Sequence, residues 1–472
     1  MRKFTLLTPI ILLILAVFSC ELPISTTKNG SLSITLPGAG SSAGRSAMPN
    51  TIVGTMVYKL DLTGPGGNRT IIAKSGDNIT VDLEPGKWNI AIEAYYFNQA
   101  DFDGLTGDSA FWIGDEDPAG IGDTETTVKP GRHNDVKIPI KVTGNLPYDV
   151  IVTTESSAKG FDNLAAALDS INDGNKYTIM MLEDQNLTPR ILDNNKQITL
   201  VSMFGGEIEI KLSGQGSLFT VGSNSELTLG EGITLVGLNE EDDLINNNAA
   251  LVIVEGELTM LEGSKITGNK NDFPMSTGTG GGVLVGNVGK FIMKGGTISG
   301  NTADNYGGGV FVRGDGEVIM DDGYIANNTA GFAGGGVAIS GEATLLMKGG
   351  TISGNTAVNG GGVYMSEPYS VTFTMSGKAR VVPGEDSNRN EVYITNSVDY
   401  ITVGELTDFS DDEEKVATIR LSIWGGYVQD RTVLVNAEGG DYVSLYYNRF
   451  TVVPNDPDEY IIDENGLLQV DQ

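Results

Sequence analysis

One cysteine in 472 residues, Cys20, excludes a disulfide within the chain, so any fold must be held by burial and backbone hydrogen bonds. One histidine, His133, leaves almost nothing from which to build a histidine-based catalytic or metal centre. Basic residues are scarce: 30 Lys and Arg stand against 61 Asp and Glu, and the resulting net charge of −31 excludes nucleic acid as a partner. Only residues 6–18 form a strongly apolar run, and it is too short for a comfortable helical membrane span. What is abundant is glycine, 64 residues of it, gathered in Gly-Gly-Gly runs that mark tight backbone turns rather than a flexible linker.

The amino terminus has the layout of a secretory leader: Arg2-Lys3, then the apolar run, then Ser19-Cys20-Glu21. Val17-Phe18-Ser19-Cys20 resembles a lipobox, although Val17 and Phe18 depart from its commonest pattern. The resemblance implies a lipoprotein signal peptide over 1–19, acylation of Cys20, and a membrane reached through that lipid. It places the protein in the cell envelope, at the outer membrane or cell surface. Residues 20–50, rich in Ser, Thr and Gly, suit a tether. The competing reading is an ordinary cleaved leader in which Cys20 is incidental.

The chain reads as all-β, and a small β-sandwich domain is expected over 51–143, with a first strand from 31. Alternating segments at 31–36, 57–62, 78–83, 88–95 and 136–142 are separated by Gly, Pro, Asn and Asp. The run Leu83-Glu84-Pro85-Gly86-Lys87-Trp88 resembles the Pro-Gly turn and aromatic strand of immunoglobulin-like and carboxypeptidase-regulatory-like sandwiches. Such a motif speaks to fold and not to function.

The strongest signal lies further on. Gly-Gly-Gly-Val begins at Gly280, Gly307, Gly334 and Gly360, in steps of 27, 27 and 26 residues, and a fixed period means stacked units. Met293, Met320, Met347 and Met375 march in the same phase, as do Asn301, Asn328 and Asn355. Each unit carries three brief strand signals and nothing long enough for a helix, which predicts a right-handed parallel β-helix over 144–472. Val310 and Val312 should point inward and Phe311 outward; the asparagines should form a turn ladder. Fainter copies, Leu227-Thr228-Leu229 and Leu258-Thr259-Met260, extend the tube upstream. Before it, Phe161, Leu164, Ala165, Leu168 and Ile171 share one helical face, and a capping helix over 161–172 is expected. The tail from 442 to 470 is expected to close the other end.

Ile298-Ser299-Gly300-Asn301-Thr302-Ala303 followed by Gly307-Gly308-Gly309-Val310, with its copy at 352–363, resembles the repeats of polymorphic outer-membrane proteins and related autotransporter adhesins. The wider fold is similar to the pectin-lyase-like β-helix. The close match covers about 263–365, and no carboxy-terminal membrane barrel is evident, so the resemblance implies a surface-exposed, adhesin-like scaffold without autotransport.

Many pectin-lyase-like folds are enzymes, which prompts a search for chemistry. Arg380 and Arg389 flank Pro383 at a spacing unlike the Arg-x-Pro-x-x-Arg pattern of pectate lyases. Asp321-Asp322 is a pair, but the next repeat has Lys348-Gly349 there, and adjacent residues on a strand point to opposite faces. Asp115-Glu116-Asp117 with Asp123 lacks the alternating oxygen ligands of a dedicated calcium site, and it and the runs 240–243 and 411–414 read as solvated loops, with calcium the weak alternative. Tyr306, Phe311, Phe332 and Tyr364 fall at outward or turn positions and form a candidate stripe for carbohydrate or for a host or envelope protein; packing under a covering loop is the competing reading. The sequence therefore favours a non-enzymatic scaffold without catalytic residues or cofactor. A polysaccharide lyase or glycoside hydrolase and a purely structural envelope component are the alternatives.

Overall fold

The computed structural model describes residues 29–35, 56–74, 78–96, 120–130, 132–136, 141–142, 148–154, 158–203, 206–239, 246–272, 279–366, 371–384, 390–409, 414–422, 430–453 and 460–470. Cys20 and the expected leader, the acidic loop 115–117, the runs 240–243 and 411–413, and Arg389 lie outside the described residues.

The amino-terminal unit has two sheets. In one, Gly30–Thr35 lies between Asn78–Leu83 and His133–Val136; in the other the order is Gly67–Lys74, Met56–Gly64, Gly86–Tyr96, Gly120–Val128, Lys141–Val142. Period-two alternation turns Leu32, Ile34 and Leu83 of the first sheet and Tyr58, Leu60, Trp88 and Ile90 of the second into one core. The single strand expected at 136–142 is two pieces in two sheets. Gly67–Lys74 and Gly120–Val128 give no alternation signal. The first is an edge strand whose leading half is exposed, and the second is polar and held by antiparallel pairing to Gly86–Tyr96.

From Lys176 the chain winds into a parallel β-helix. One face is a ten-stranded parallel sheet running from Arg190–Leu192 to Phe450–Val452. The other two faces meet at a corner crossed without a break by Lys290–Ser299 and by Glu317–Ala326, where the register slips through a bulge. Leu200, Leu229, Met260, Met293, Met320, Met347, Met375 and Val403 occupy a single register row, all fully buried. Each side chain in such a row packs on the one above and the one below, so the core is continuous along the tube.

The glycine triplets hold backbone against backbone. Gly308 N–H donates to Gly334 O (3.0 Å) and Gly309 N–H to Gly335 O (3.0 Å), one coil away. A Cβ on Gly308 would lie 2.4 Å from Thr329 O and 2.5 Å from Gly335 O, so no side chain fits. The leading Gly307 and Gly334 sit at φ +68°, a region closed to most L residues.

At the turn before each triplet the asparagines form the expected ladder. Asn269, Asn301, Asn328, Asn355 and Asn390 are buried, and each Oδ1 from Asn301 onward accepts the backbone N–H of the asparagine one coil earlier. From Asn301 onward their Nδ2 groups donate to carbonyls of the preceding coil, as from Asn328 to Ile298 O (2.9 Å).

Both ends of the tube are covered. Helix α1, Leu164–Asp169, is shorter than the expected 161–172: Phe161 ends the strand Ala158–Phe161, and Asn163 caps the helix by accepting from Ala166 N–H (2.9 Å). Ala167 rather than Ala165 is the fully buried alanine, completing the face that Leu164 and Leu168 turn inward. Val150–Thr153 pairs antiparallel with Lys176–Met181 and so occupies the first edge. Ile151 and Met203 pass into the core of the amino-terminal unit, which rests on this end. At the far end, helix α2, Tyr442–Tyr446, and the hairpin Tyr460–Ile462 with Leu468–Val470 insert Val443, Ile462 and Leu468.

Candidate functional site: the outer face of the ten-stranded sheet

On the ten-stranded sheet the outward residues of successive coils are Ile253, Leu284, Phe311, Ala338, Tyr364 and Tyr393. Val310 and Val312 point inward and are fully buried, as the alternation requires. Phe311 and Tyr364 point outward, yet each is only 8% exposed, because Ala338 between them leaves a gap that another ring fills. That ring is Tyr306, whose centroid lies 6.0 Å from Phe311 and 5.9 Å from Tyr364. Phe332 meets Tyr306 edge-on at 5.2 Å, and Tyr393 stacks on Tyr364 at 5.8 Å. Burial pushes the Tyr306 hydroxyl above the ordinary tyrosine range.

The four residues singled out in the sequence therefore come together as one cluster. Much of it is packed under its own turns. Phe332, 41% exposed, and the half-buried Tyr306 are the parts offered to solvent. Tyr393 escaped notice because the glycine phase ends before it, although Val392-Tyr393-Ile394 copies the register of Val363-Tyr364-Met365.

The other candidates fall elsewhere. Asp321 and Asp322 are both exposed and do not face opposite ways, because the corner bulge displaces Asp322; Asp321 pairs with Lys348 at 3.4 Å. Arg380 is buried and fully engaged. It donates to Glu414 Oε1 (2.7 Å), Thr407 O (2.9 Å) and Asp408 O (3.0 Å), and it lies over the Phe409 ring. The guanidinium thus ties its own strand to the turn that carries Thr407 and Asp408. The backbone of His133 lies in the edge strand that pairs with Gly30–Thr35, remote in the fold from the aromatic cluster.

Two groupings were not legible beforehand. Asp272 and Asp304 follow Asn271 and Ala303, which pair across neighbouring coils, and their carboxyls are placed to hydrogen-bond whenever one of them is protonated. Burial, then that bond and the charge of Asp272, hold Asp304 above the usual carboxylate range, while the bond from Asn246 Nδ2 (2.8 Å) leads in holding Asp272 below it. The signal was present as an Asp three residues after Asn269 and Asn301; Gly331 and Val358 stand there in the next two repeats. Separately, Glu226, Glu255, Glu257 and Lys290 line a cleft of about 360 Å³ where the ten-stranded sheet turns into the next face. Among the described residues no three His, Cys, Asp or Glu side chains are gathered as a metal centre would need.

The model of a family described as "Right handed beta helix region" matches residues 249–377, the span that holds the glycine triplets and most of the asparagine ladder and of the aromatic cluster. No curated protein and no solved structure matches the chain. The match and the coil-on-coil register agree on a right-handed parallel β-helix.

Proposed function

We propose that this chain is a lipid-anchored scaffold of the cell envelope, tethered through Cys20, that presents the outer face of its β-helix to a carbohydrate or protein ligand without turning it over. The observation that carries the reading is the aromatic cluster: rings from four coils meet on a rigid sheet, with Phe332 and Tyr306 at its surface. Aromatic faces of this kind supply contact area at little conformational cost. The glycine-triplet repeats, with their likeness to adhesin repeats, support the same reading.

Detergent-solubilised full-length protein on a glycan array, with and without the Phe332→Ala change, tests it. Retained ligand that is lost in F332A supports the reading, and product release from any polysaccharide overturns it. One observation favours a second reading, a glycoside-active enzyme: the carboxylates of Glu226 and Glu257, register partners one coil apart, open onto the same cleft. Turnover abolished by Glu257→Gln would establish that alternative. Acylation of Cys20 is tested by mass spectrometry of the membrane-extracted protein, where an unmodified Cys20 would remove the anchor.

A further inference from the structure

Departures from a strict repeat are informative, because every coil is otherwise built to one plan. Two departures converge on one place. Where Ala303, Ala330 and Ala357 recur, the preceding coil has Asn271. Where the neighbouring coil has Ser340, in register on the same sheet, one coil has Arg313. Asn271 and Arg313 line the same cleft of about 290 Å³ on the outer face of the ten-stranded sheet, beside the aromatic cluster.

The chemistry of the cleft is mixed. Its floor is aliphatic, made by Ile253, Leu284 and Ala250, and its rim carries the amide of Asn248. The Asn271 amide is oriented by its bonds, since Nδ2 donates to Thr279 O and Gly280 O at 3.1 Å each; its Oδ1 has no donor among the described residues, although the residue is 2% exposed. Arg313 is exposed, and among the described residues its guanidinium has no carboxylate partner, in a chain with twice as many acids as bases. A free guanidinium beside apolar floor and amide groups asks for a ligand with a carboxylate, an alkyl group and an N–H donor close together. A sugar ring would ask instead for an aromatic platform, which lies further along the sheet at Tyr364 and Tyr393.

We infer that this cleft binds the carboxy-terminal end of a peptide with a small aliphatic last residue: carboxylate on Arg313, alkyl side chain on Ile253 and Leu284, peptide N–H toward Asn271 Oδ1. The inference stands on residues separate from Tyr306 and Phe332, so it survives or fails independently of glycan binding.

The test is a titration of the full-length protein with N-acetyl-Ala-Leu and with its carboxy-terminal amide, followed by calorimetry up to about 10 mM. The expected result is saturable binding of the free acid, weakened about tenfold or more in the amide and in Arg313→Gln. Asn271→Ala also removes the donors to Thr279 O and Gly280 O, so it is expected to lower the unfolding midpoint as well as binding; Arg313→Gln, whose guanidinium has no carboxylate partner among the described residues, is expected to weaken binding with the midpoint unchanged. Equal binding of acid and amide, binding unaffected by R313Q, displacement by acetate at the same concentration as the peptide, or no binding to either probe would each overturn the assignment.

Discussion

The Oδ1 of Asn328 accepts two hydrogen bonds from Asn301 one coil earlier, from its backbone N–H at 3.0 Å and its Nδ2 at 3.1 Å. Asn328 in turn gives its own N–H and Nδ2 to Asn355 (2.9 and 3.1 Å), so the turn is satisfied only by a run of identical amides. Asn328→Ala strands buried donors on Asn301 and the acceptor of Ile298, at about 1–3 kcal/mol for each group left unpaired. The expected outcome is a loss of several kcal/mol in urea denaturation. Asn328→Asp places a buried carboxylate among carbonyls, raising its own pKa; its destabilisation should therefore be greatest at neutral pH and ease on acidification.

The glycine triplets predict a contrast between two identical changes. Gly308→Ala forces a Cβ to within 2.5 Å of backbone oxygens in the next coil, which must shift, and a loss of roughly 2 kcal/mol or more is expected. Gly206→Ala meets nothing within 4 Å and should change stability by less than about 0.5 kcal/mol. Equal unfolding midpoints for the two variants would contradict the backbone contact.

Tyr306 and Phe332 separate packing from recognition. Tyr306→Ala uncovers Phe311 and Tyr364 and leaves a cavity over Ala338, so it should cost about 2–4 kcal/mol and lower ligand binding together. Phe332→Ala removes a ring that is 41% exposed, and it should lower binding with a much smaller effect on thermal unfolding.

Asp304 and Asp272 give the stability a pH dependence of predictable sign. Asp304 titrates higher in the folded chain than in the unfolded one, so its carboxylate opposes folding at neutral pH and that opposition fades as pH falls through the raised value. Asp272 titrates lower when folded, so it stabilises above the ordinary carboxylate range and that support is lost as pH falls further. Asp304→Asn keeps a donor for Asp272 and removes the like charge. Its unfolding midpoint should exceed that of the unaltered protein at pH 7, and the difference should close near pH ~4, where unfolded aspartates also take up protons.

The coils were readable because a parallel tube demands one residue type at one phase. The methionines, the asparagines and the glycine triplets each repeat for a separate physical reason: filling a fixed interior, satisfying one turn, and letting backbones touch. The aromatic cluster was readable as a set and not as an object. Nothing in the order of residues announces that Tyr306, from a turn, fills the space left by Ala338 on a strand of the next coil. The carboxyl pair at Asp272 and Asp304, and the meeting of Asn271 with Arg313 at one cleft, were hidden for the same reason.

Local order alone decided the period, the inward and outward faces and the places where side chains are forbidden, because those depend on alternation and steric exclusion within a few residues of chain. Tertiary structure decided where the helix at the first end begins, how 136–142 divides between two sheets, and which outward residues are covered. Those outcomes depend on which surfaces are left open once the coils have stacked, a quantity that no stretch of chain carries by itself.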